Sequence, residues 1–324
     1  MFQAQQVLFI YCVSPVHMGA GTAIGLIDNP IQRERHTEYP MIAGSGLKGA
    51  VRHHFWSQLP EDVRTDKEKR KTHLLNRLFG PETDASEFAG AVSFGDAQLV
   101  AFPVRCVKGA FVYATSPTAL ARAARTLNIT GANTDWTIPD VKAGHCRLLN
   151  RQLLSGKKLL LEAFEFTAPE ATPDSKPDSY LYPIAEWLAK NTLPSDDAYA
   201  FFGDKLATDL VLLSDEDFGY FVRNATVVEP HVRINNETGT ADDGGLFYTE
   251  NLPPESLLLA PVMASVERST DKIRGDKARF NAEQALEIVL AGDSNGFGGL
   301  DGKLLQIGGD ATTGRGQVVC KVVG

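Results

Sequence analysis

Two side chains able to move a proton or hold a metal ion lie near the start of the chain. His17 and Asp28 both fall within the glycine-rich segment HMGAGTAIGLIDN. A histidine exchanges a proton near neutral pH, and a loop carboxylate can bind a divalent metal or orient a ribose hydroxyl. The alternative is structural, because Asp28 precedes an Asn-Pro turn and His17 could be a hydrogen-bonded structural histidine. We take the pair as the candidate catalytic centre.

The common hydrolase and cofactor motifs are missing. The sequence has no HExxH, no GxSxG elbow, no Walker A loop and no GxGxxG in a strand-turn-helix context. Its four cysteines contain no CxxC pair, which predicts neither a disulfide framework nor a zinc knuckle. Zinc hydrolase, serine hydrolase and dinucleotide-binding chemistry therefore have no support.

Three glycine-containing segments could approach a phosphate. They are HMGAGTAIG at 17–25, GSGLKG at 44–49 and GGDATTGRG at 308–316. Glycine lets a backbone come close to phosphate oxygens, and a Gly-Ser-Gly entering a helix directs N–H groups at an anion. A tight turn without a ligand is the alternative for each segment taken alone. Three such segments in one chain favour an anion-binding surface.

Cationic side chains accompany these segments. Lys48 lies in the first turn of a predicted helix, Arg52 follows one turn later, and Arg315 stands between two glycines. Lysine offers a point charge and arginine a two-pronged donor for phosphate. The run PIQRERHT at 30–37 adds two arginines and a histidine, which could equally form a solvated loop face.

The charge is unevenly distributed along the 324 residues. The net charge is -8, yet residues 1–80 carry +3 and residues 162–255 carry -14. An acidic flank suits a protein that stacks on copies of itself, or it is a solvated acidic face. The longest apolar run is too short for a membrane span and has no basic segment before it, so we expect no membrane segment, no signal peptide and a cytoplasmic location.

The elements that must position these residues begin with a buried strand at 7–14 and a long loop at 15–40. Apolar residues four apart predict a helix at 44–60, with Ser45 as its N-cap and Pro60 as its stop. The next predicted elements are a charged helical stretch at 64–80, paired strands at 90–100 and 104–114, a helix at 117–127 and a strand at 157–168.

Residues 169–256 are acidic and rich in proline, with short helical fragments. Within them, the segment at 218–250 predicts an extended β-hairpin with the long tip NNETGTADDGG. A strand at 256–267, a helix at 278–292 and a strand-loop-strand unit complete the chain. The sum is an α+β fold with a β-α-β-β-α-β core and large insertions.

Four of these stretches together resemble the RAMP superfamily of CRISPR proteins: 17–52, SFGDAQL at 93–99, the hairpin segment at 233–250 and GGDATTGRG. Within that superfamily, the order and spacing are similar to the repeated backbone subunit of type III-B (Cmr) effector complexes. The type III-A backbone subunit shares only some of these motifs and is the alternative homologue. Gly46 stands where serine is common in the family, which removes a hydroxyl but leaves the backbone donors.

This resemblance implies one RAMP domain with a ferredoxin-like (RRM-type) palm and a β-hairpin thumb. The palm core is expected at about 1–60, 90–168 and 256–324, an acidic insertion at about 169–217 and the thumb at about 225–250. The insertion is the alternative source of the thumb. Since no RNP1-like aromatic motif is present, we do not expect bases to be read as in an ordinary RRM.

The resemblance also implies roles for residues. Asp28 is the implied catalytic aspartate and metal ligand, with His17 as its neighbour. Asp96 and Glu229 are further acidic candidates, because they lie in strand-like segments that flank the palm. The implied RNA contacts are Ser45, Gly46, Lys48, Gly49, Arg52, Gly308, Gly309, Gly314, Arg315 and Gly316.

A protein of this kind is expected to bind a guide (CRISPR) RNA, a paired single-stranded target RNA, copies of itself stacked head-to-tail and other type III-B subunits. The thumb would splay one target nucleotide at regular intervals and so align its 2'-hydroxyl with the P–O5' bond. Asp28 with a divalent metal, expected to be Mg²⁺, would then promote endonucleolytic cleavage. The alternatives are a non-catalytic scaffold that coats the guide and a stand-alone metal-dependent ribonuclease.

Overall fold

The computed structural model describes residues 2–23, 25–82, 87–170, 178–292 and 297–324. The strands in these ranges are β1 (Ala4–Cys12), β2 (Met41–Ile42), β3 (Val92–Phe94), β4 (Ala97–Arg105), β5 (Phe111–Thr115), β6 (Cys146–Leu148), β7 (Leu154–Ser155), β8 (Lys158–Leu161), β9 (Phe164–Thr167), β10 (Leu210–Leu213), β11 (Val227–Ile234), β12 (Ala241–Asn251), β13 (Leu257–Ala264), β14 (Leu304–Gln306) and β15 (Gln317–Val323). The helices are α1 (Gly44–Ser57), α2 (Glu61–Thr65), α3 (Lys67–Lys71), α4 (Leu74–Phe79), α5 (Pro117–Ile129), α6 (Leu181–Asn191), α7 (Asp197–Thr208), α8 (Asp215–Asn224), α9 (Asp271–Arg274) and α10 (Ala282–Leu290). No helix within the described ranges has both the length and the apolar character needed to cross a bilayer.

One large, mainly antiparallel sheet organises the chain. Its strand order is β14-β15-β1-β13-β4-β5-β10-β6, with β2 paired to β4 and β3 to β13. β10 runs parallel to β5, whereas β1 pairs antiparallel with both β13 and β15. The four adjacent strands β15, β1, β13 and β4 have α1 between β1 and β4 in sequence, and α10 between β13 and β15. The α+β class predicted from the sequence is confirmed.

Helices cover both faces of the sheet. Leu8 and Ile10 of β1 belong to a core shared with α1 and α10, while Val7 and Phe9 belong to a second core shared with α5 and α6. Successive side chains of a strand point to opposite faces, so a strand buried on both sides is apolar throughout. This explains the unbroken apolar run in β1.

Helix α1 forms as predicted, but its start and end differ from the prediction. Ala43, and not Ser45, occupies the N-cap position, and the N–H of Gly44 donates to Asp96 Oδ1 at 2.7 Å. The helix ends three residues before Pro60, which instead precedes α2. The capping carboxylate, Asp96, lies directly before β4, 52 residues away in sequence, so local residue spacing could not predict this contact.

One other local prediction is wrong. The segment at 157–168 is not one strand but the hairpin β8–β9, which turns at Glu162 with φ 51°. Within the predicted acidic insertion at about 169–217, α6 and α7 pack on the sheet and β10 joins it. The four-residue strand β10 is too short to be distinguished from a helical fragment by periodicity.

The predicted hairpin is confirmed as β11–β12, a separate two-stranded sheet. Its arms differ from the prediction, because residues 215–224 form α8. Its tip is also shorter: residues 241–245 belong to β12, so only residues 235–240 connect the strands. Ile234 pairs with Ala241 at the end of the ladder.

Tyr11, Tyr113 and Glu255 form a partly buried polar cluster beside the turn between β12 and β13. Glu255 adopts a φ of 68°, and its N–H donates to the Cys12 carbonyl at 2.7 Å. The Tyr11 hydroxyl donates to the Glu255 carboxylate and lies 2.8 Å from the Tyr113 hydroxyl. Burial raises the pKa of Glu255 to about 7. This carboxyl therefore changes its charge near neutral pH.

We expect Glu255→Gln to alter the pH dependence of unfolding. Because burial raises the folded-state pKa from 4.5 to about 7, the stability linked to this proton is complete below pH 4.5 and is lost as the pH rises through 7. The shift corresponds to about 3 kcal/mol, which partial exposure reduces to roughly 1–2 kcal/mol. In thermal unfolding, the variant should gain more over the wild type at pH 8 than at pH 5.

Glu237→Gln at the exposed hairpin tip is the control for this measurement. It removes a carboxylate from solvent and should give a pH profile like that of the wild type. A Glu255→Gln advantage that stays constant from pH 5 to pH 8 would show that the cluster does not titrate.

Candidate functional site

Asp28 is attached to the edge of β12 that faces away from β11. Its Oδ2 accepts the N–H of Tyr248 at 2.7 Å. The Asn29 N–H donates to the Tyr248 carbonyl at 3.0 Å, and the Asn29 carbonyl accepts the Glu250 N–H at 2.9 Å. The loop thus extends the hairpin like a short third strand. Asp28 is exposed and its Oδ1 has no hydrogen-bond partner among the described residues, so one carboxylate oxygen is fixed and the other faces solvent.

His17 is bound to the same edge of β12. Its Nδ1 lies 2.8 Å from the carbonyl oxygen of Glu250. A carbonyl oxygen only accepts, so the proton of neutral His17 is on Nδ1 and Nε2 carries the lone pair. The attachment points of His17 and Asp28 are two strand residues apart, or roughly 7 Å. The structure therefore brings together the two residues that the sequence singled out for catalysis.

Glu250 holds the loop that follows Asp28 against β12, and it was not among the site residues predicted from the sequence. Its carboxylate is 3% exposed. Oε1 accepts from Arg33 at 2.5 Å and from Thr226 at 2.8 Å, and Oε2 accepts the Ile31 N–H at 3.0 Å. A buried carboxylate needs such partners, because an unpaired one is costly. Its signal in the sequence is the polar Thr-Glu-Asn run at the end of an otherwise alternating strand.

The run PIQRERHT serves mainly to hold its own loop. Arg33 is paired with Glu250, and Glu34 receives both prongs of Arg122. Burial opposes ionisation of Glu34, but its hydrogen bonds with Arg122 hold the pKa of that carboxyl below its ordinary value. Arg35 and His36 remain exposed. The distinctive sequence of this run thus reflects loop architecture as well as surface charge.

The three glycine-containing segments meet around one groove of about 440 Å³. Its walls are residues 17–19, residues 306–309, and the face of α1 that carries Gly46, Ala50 and His53. The structure thereby unites segments that lie almost three hundred residues apart in sequence. We call this cavity the glycine groove.

Close approach of two backbones forms one wall of the glycine groove. The Gly309 N–H donates to the His17 carbonyl at 3.0 Å. Gly308 has φ 80°, and a Cβ there would lie 2.1 Å from that same carbonyl oxygen. Gly316, with φ 81°, is similarly restricted by the carbonyl of Ile307 at 2.2 Å, whereas Gly314 meets no neighbour. Residues 308–309 therefore fix His17 from the side opposite β12.

The exposed part of α1 beside the groove is made of small residues. Ser45, Gly46 and Gly49 lie in its first two turns. A Cβ on Gly46 or Gly49 would meet no atom within 4 Å, although glycine in a helix costs roughly 0.5–1 kcal/mol relative to alanine. Packing within the chain does not require these glycines. They leave room for a ligand backbone to approach the helix.

Lys48 and Arg52 lie roughly opposite the groove face, given 3.6 residues per helical turn. Arg52 donates to the Gly80 carbonyl at 2.9 Å and to Asn76 Oδ1 at 2.6 Å. Lys48 is half-buried and makes no hydrogen bond or ion pair with a described residue. Burial lowers the pKa of Lys48, and the neighbouring Arg52 lowers it further. Of the two cations, Lys48 keeps its donors available to a ligand.

Two predicted site residues, Arg315 and Glu229, pair with each other. Arg315 Nη2 lies 2.6 Å and 2.7 Å from the two carboxylate oxygens of Glu229, and Asn251 donates to the same carboxylate at 3.2 Å. The pair joins the C-terminal glycine segment to the base of the hairpin. Its charges compensate each other, so the observed role of both residues is positioning.

Asp96 has a structural role in the described contacts. It is exposed and accepts the Gly44 N–H at the start of α1. Among its contacts with described residues, none leads to Asp28. The structure thus connects His17 with Asp28 but leaves Asp96 at the helix terminus.

Metal binding at this site would depend on Asp28. Within the described ranges, no three His, Cys, Asp or Glu side chains are grouped to hold a metal ion. Magnesium is commonly bound through one or two carboxylates, with water and substrate phosphates as its other ligands. The free Oδ1 of Asp28 fits a site of that kind, in which a phosphate would supply the ligands that the chain does not.

The arrangement combines groups that act on a phosphodiester. A solvent-facing carboxylate oxygen and an imidazole held through Nδ1 lie on one strand edge, and His17 also lines the glycine groove. These groups can orient a hydroxyl and exchange protons, while helix and loop backbones hold a phosphate.

Comparisons with known proteins agree with this chemistry. A family model described as the RAMP superfamily matches residues 9–319. The CRISPR system Cmr endoribonuclease Cmr4 of Pyrococcus furiosus is 33% identical over 311 residues, covering 95% of this chain and 92% of the relative. The crystal structure of oligomeric Cmr4 from the same organism is similar with a TM-score of 0.67 and 25% identity, covering 98% of this chain and 97% of that one. A type III-B Cmr-beta complex bound to cognate target RNA contains a chain with the same fold, at a TM-score of 0.67, 19% identity and coverage of 99% and 98%.

Proposed function

This chain belongs to the RAMP superfamily as a homologue of Cmr4, and from that premise we propose that it binds guide RNA in a type III-B complex and cuts the paired target. It is the backbone subunit of such complexes, and its reaction class is that of an endoribonuclease. The observation that carries the proposal is the attachment of Asp28 and His17 to one edge of β12.

The finer architecture is a ferredoxin-like palm with a thumb. The order β15-β1-β13-β4, with α1 and α10 as the two intervening helices, supports the palm. The hairpin β11–β12 supports the thumb, because it stands outside the central sheet and its base carries the catalytic pair. We keep the name thumb for residues 227–251.

The partners follow from the same premise. Guide RNA lies against the glycine groove and passes around the first turn of α1 to Lys48 on the other side of the helix. The target pairs with the guide, and further copies of the chain stack head-to-tail along it beside other type III-B subunits. The separation of charge between residues 1–80 and the acidic residues 162–255 supports such stacking. In guide-bound effectors of this kind, base pairing selects the target while the protein holds the RNA backbone.

Cleavage uses the target's own ribose. The 2'-oxygen attacks the adjacent phosphorus and the P–O5' bond breaks, which leaves a 2',3'-cyclic phosphate and a 5'-hydroxyl. The attacking hydroxyl must lose a proton and the departing O5' must gain one. Asp28 Oδ1 orients the 2'-hydroxyl, and His17 exchanges the proton through Nε2, the nitrogen that its bond to Glu250 leaves free. Pairing in A-form geometry prevents in-line attack, so the thumb must splay the nucleotide.

Mg²⁺ is the proposed cofactor. Asp28 would hold it, and the ion would neutralise negative charge on the scissile phosphate. The single available carboxylate oxygen supports binding that depends on the RNA, so the ion should associate weakly in the absence of target.

One experiment distinguishes the proposed function from two alternatives, a guide-coating scaffold and a stand-alone ribonuclease. The complex assembled on guide RNA is incubated with labelled complementary RNA or with a scrambled RNA, in Mg²⁺ or in excess EDTA. We expect cleavage of the complementary RNA alone, and only with Mg²⁺. A guide-coating scaffold would bind without cutting, and a stand-alone ribonuclease would cut both RNAs. Either of those results would overturn the proposal.

Lys48→Ala should weaken guide binding equally for all guide sequences. Its ammonium group has no described partner to retain it, and a phosphate contact carries no base information. The slope of log Kd against log salt should fall by about 0.7 for one lost phosphate contact on single-stranded RNA. Filter binding at several salt concentrations measures this slope.

Lys190→Ala, which removes an exposed lysine from α6 on the opposite side of the sheet, is the matched control. Arg52 and Arg315 are less informative, because their replacement also breaks contacts with Asn76 or Glu229. An unchanged salt slope in Lys48→Ala would exclude Lys48 from the guide contacts.

A further inference from the structure

The glycine groove ends at an aromatic pair on α1. His53 lines the groove and is exposed. Its ring is nearly parallel to that of Trp56, with centroids 5.7 Å apart and an angle of 15° between the planes. The guanidinium of Arg64 lies 5.7 Å from the Trp56 ring centroid. The three side chains form a layered, partly cationic surface at the mouth of the groove.

Packing within the chain does not account for His53. The buried side of α1 is formed by Leu47, Val51 and Phe55, whereas His53 projects from the groove side. His53 makes no hydrogen bond with any described residue. Trp56 is partly buried against the core, so it holds the neighbouring imidazole from a fixed position. The exposed ring is thus supported on one face by Trp56 and makes no hydrogen bond with a described residue.

The dimensions match an RNA strand lying along α1. From Gly46 to His53 the helix rises about 10 Å, at 1.5 Å per residue. Asp96 caps the Gly44 N–H, while the N–H groups of Ser45 and Gly46 have no hydrogen-bond partner among the described residues. A phosphate near these two groups would leave a neighbouring base close to His53. Aromatic rings stack on any of the four bases, because every base has a π face.

We propose that His53, backed by Trp56, is a stacking platform for one base of the guide RNA. The proposal rests on the proposed function and adds to it a contact that is independent of base identity and of phosphate charge. It also supplies the aromatic contact for which no RNP1-like motif exists in the sequence.

The test compares His53→Ala with the full-length wild-type chain in guide binding across salt concentrations. Loss of one base stack should weaken binding by roughly 5-fold to 150-fold for every guide sequence. The slope of log Kd against log salt should stay unchanged, in contrast to Lys48→Ala. When 2-aminopurine is placed at successive guide positions, its fluorescence should be quenched by the wild type at one position per bound copy and should recover in His53→Ala.

His53→Phe and His145→Ala complete the set. The phenylalanine variant keeps the ring and should restore both affinity and quenching, while His145 is an exposed histidine outside the groove whose loss should have no effect. Binding of His53→Ala within twofold of the wild type would overturn the proposal, as would a reduced salt slope or a failure of phenylalanine to restore binding. If the wild-type chain retains guide while His53→Ala binds equally well, only the platform fails and the proposed function stands.

Discussion

A complex built from Asp28→Asn subunits is expected to bind guide and target normally and to cut the target about 10²–10⁴-fold more slowly. Asparagine can still accept the Tyr248 N–H, so the loop should remain on β12. What it loses is the negative charge on the oxygen that faces solvent, which we propose to act on the reacting groups. Such a group contributes more to the transition state than to ground-state binding. Single-turnover cleavage and separate filter binding distinguish the two effects.

Asp204→Asn is the control for this variant. Asp204 is an exposed carboxylate on α7, which packs against the other face of the sheet, so its replacement should leave the rate unchanged. His17→Ala should reduce the rate less than Asp28→Asn does. A full rate from subunits that all carry Asp28→Asn would remove Asp28 from the catalytic role.

Shortening the thumb is expected to have the second largest effect. Ile234 and Ala241 already pair at the end of the ladder, so residues 235–240 can be replaced by the two-residue turn Asn-Gly. Guide binding and palm stability should be retained, because hairpin tips tolerate change. Target cleavage should fall at least about tenfold, since a paired nucleotide lacks in-line geometry.

The shortened thumb keeps its exposed apolar face, so this variant tests the reach of the tip and not the apolar contacts themselves. Val232 and Leu246 pair across the strands and are 44% and 54% exposed. Tyr248, opposite Pro230, continues this face toward Asp28. Apolar side chains of this kind can wedge between base steps and unstack them.

A variant whose six tip residues are replaced by glycine and serine keeps the length of the thumb and is the matched control. It should cut more efficiently than the shortened thumb if reach is the decisive property. Equal cleavage by wild-type and shortened thumbs at the same positions would mean that another part of the chain splays the nucleotide.

Local sequence patterns could predict several of the strands, the hairpin and the two residues that we propose for catalysis. His17 and Asp28 stand out because a long loop rich in glycine and apolar residues is unusual, and loops of that length are commonly functional. Their orientation could not be predicted, because it depends on Tyr248 and Glu250, more than two hundred residues away. These hydrogen bonds are made to backbone groups of a distant strand, so the residue types of that strand do not reveal them.

The basic residues show the same limit. Arg52 and Arg315 sit in motifs that suggest phosphate binding, yet the fold brings Asn76 and Glu229 within hydrogen-bond distance of them. Spacing along the chain does not reveal which hydrogen-bond acceptor lies nearby in three dimensions. Likewise, β10 is recognisable only once β5 and β6 are present on either side of it.

The most direct test of the whole account is a map of the cut positions on a target that pairs with the entire guide. Complexes are assembled from wild-type subunits, from Asp28→Asn subunits and from an equal mixture of the two. We expect evenly spaced cuts with the wild type, the same positions at about half intensity with the mixture, and no cuts with the variant in the time that the wild type needs, because each copy cleaves at its own position. Cuts that persist at the same spacing in the all-variant complex within that time would contradict the account.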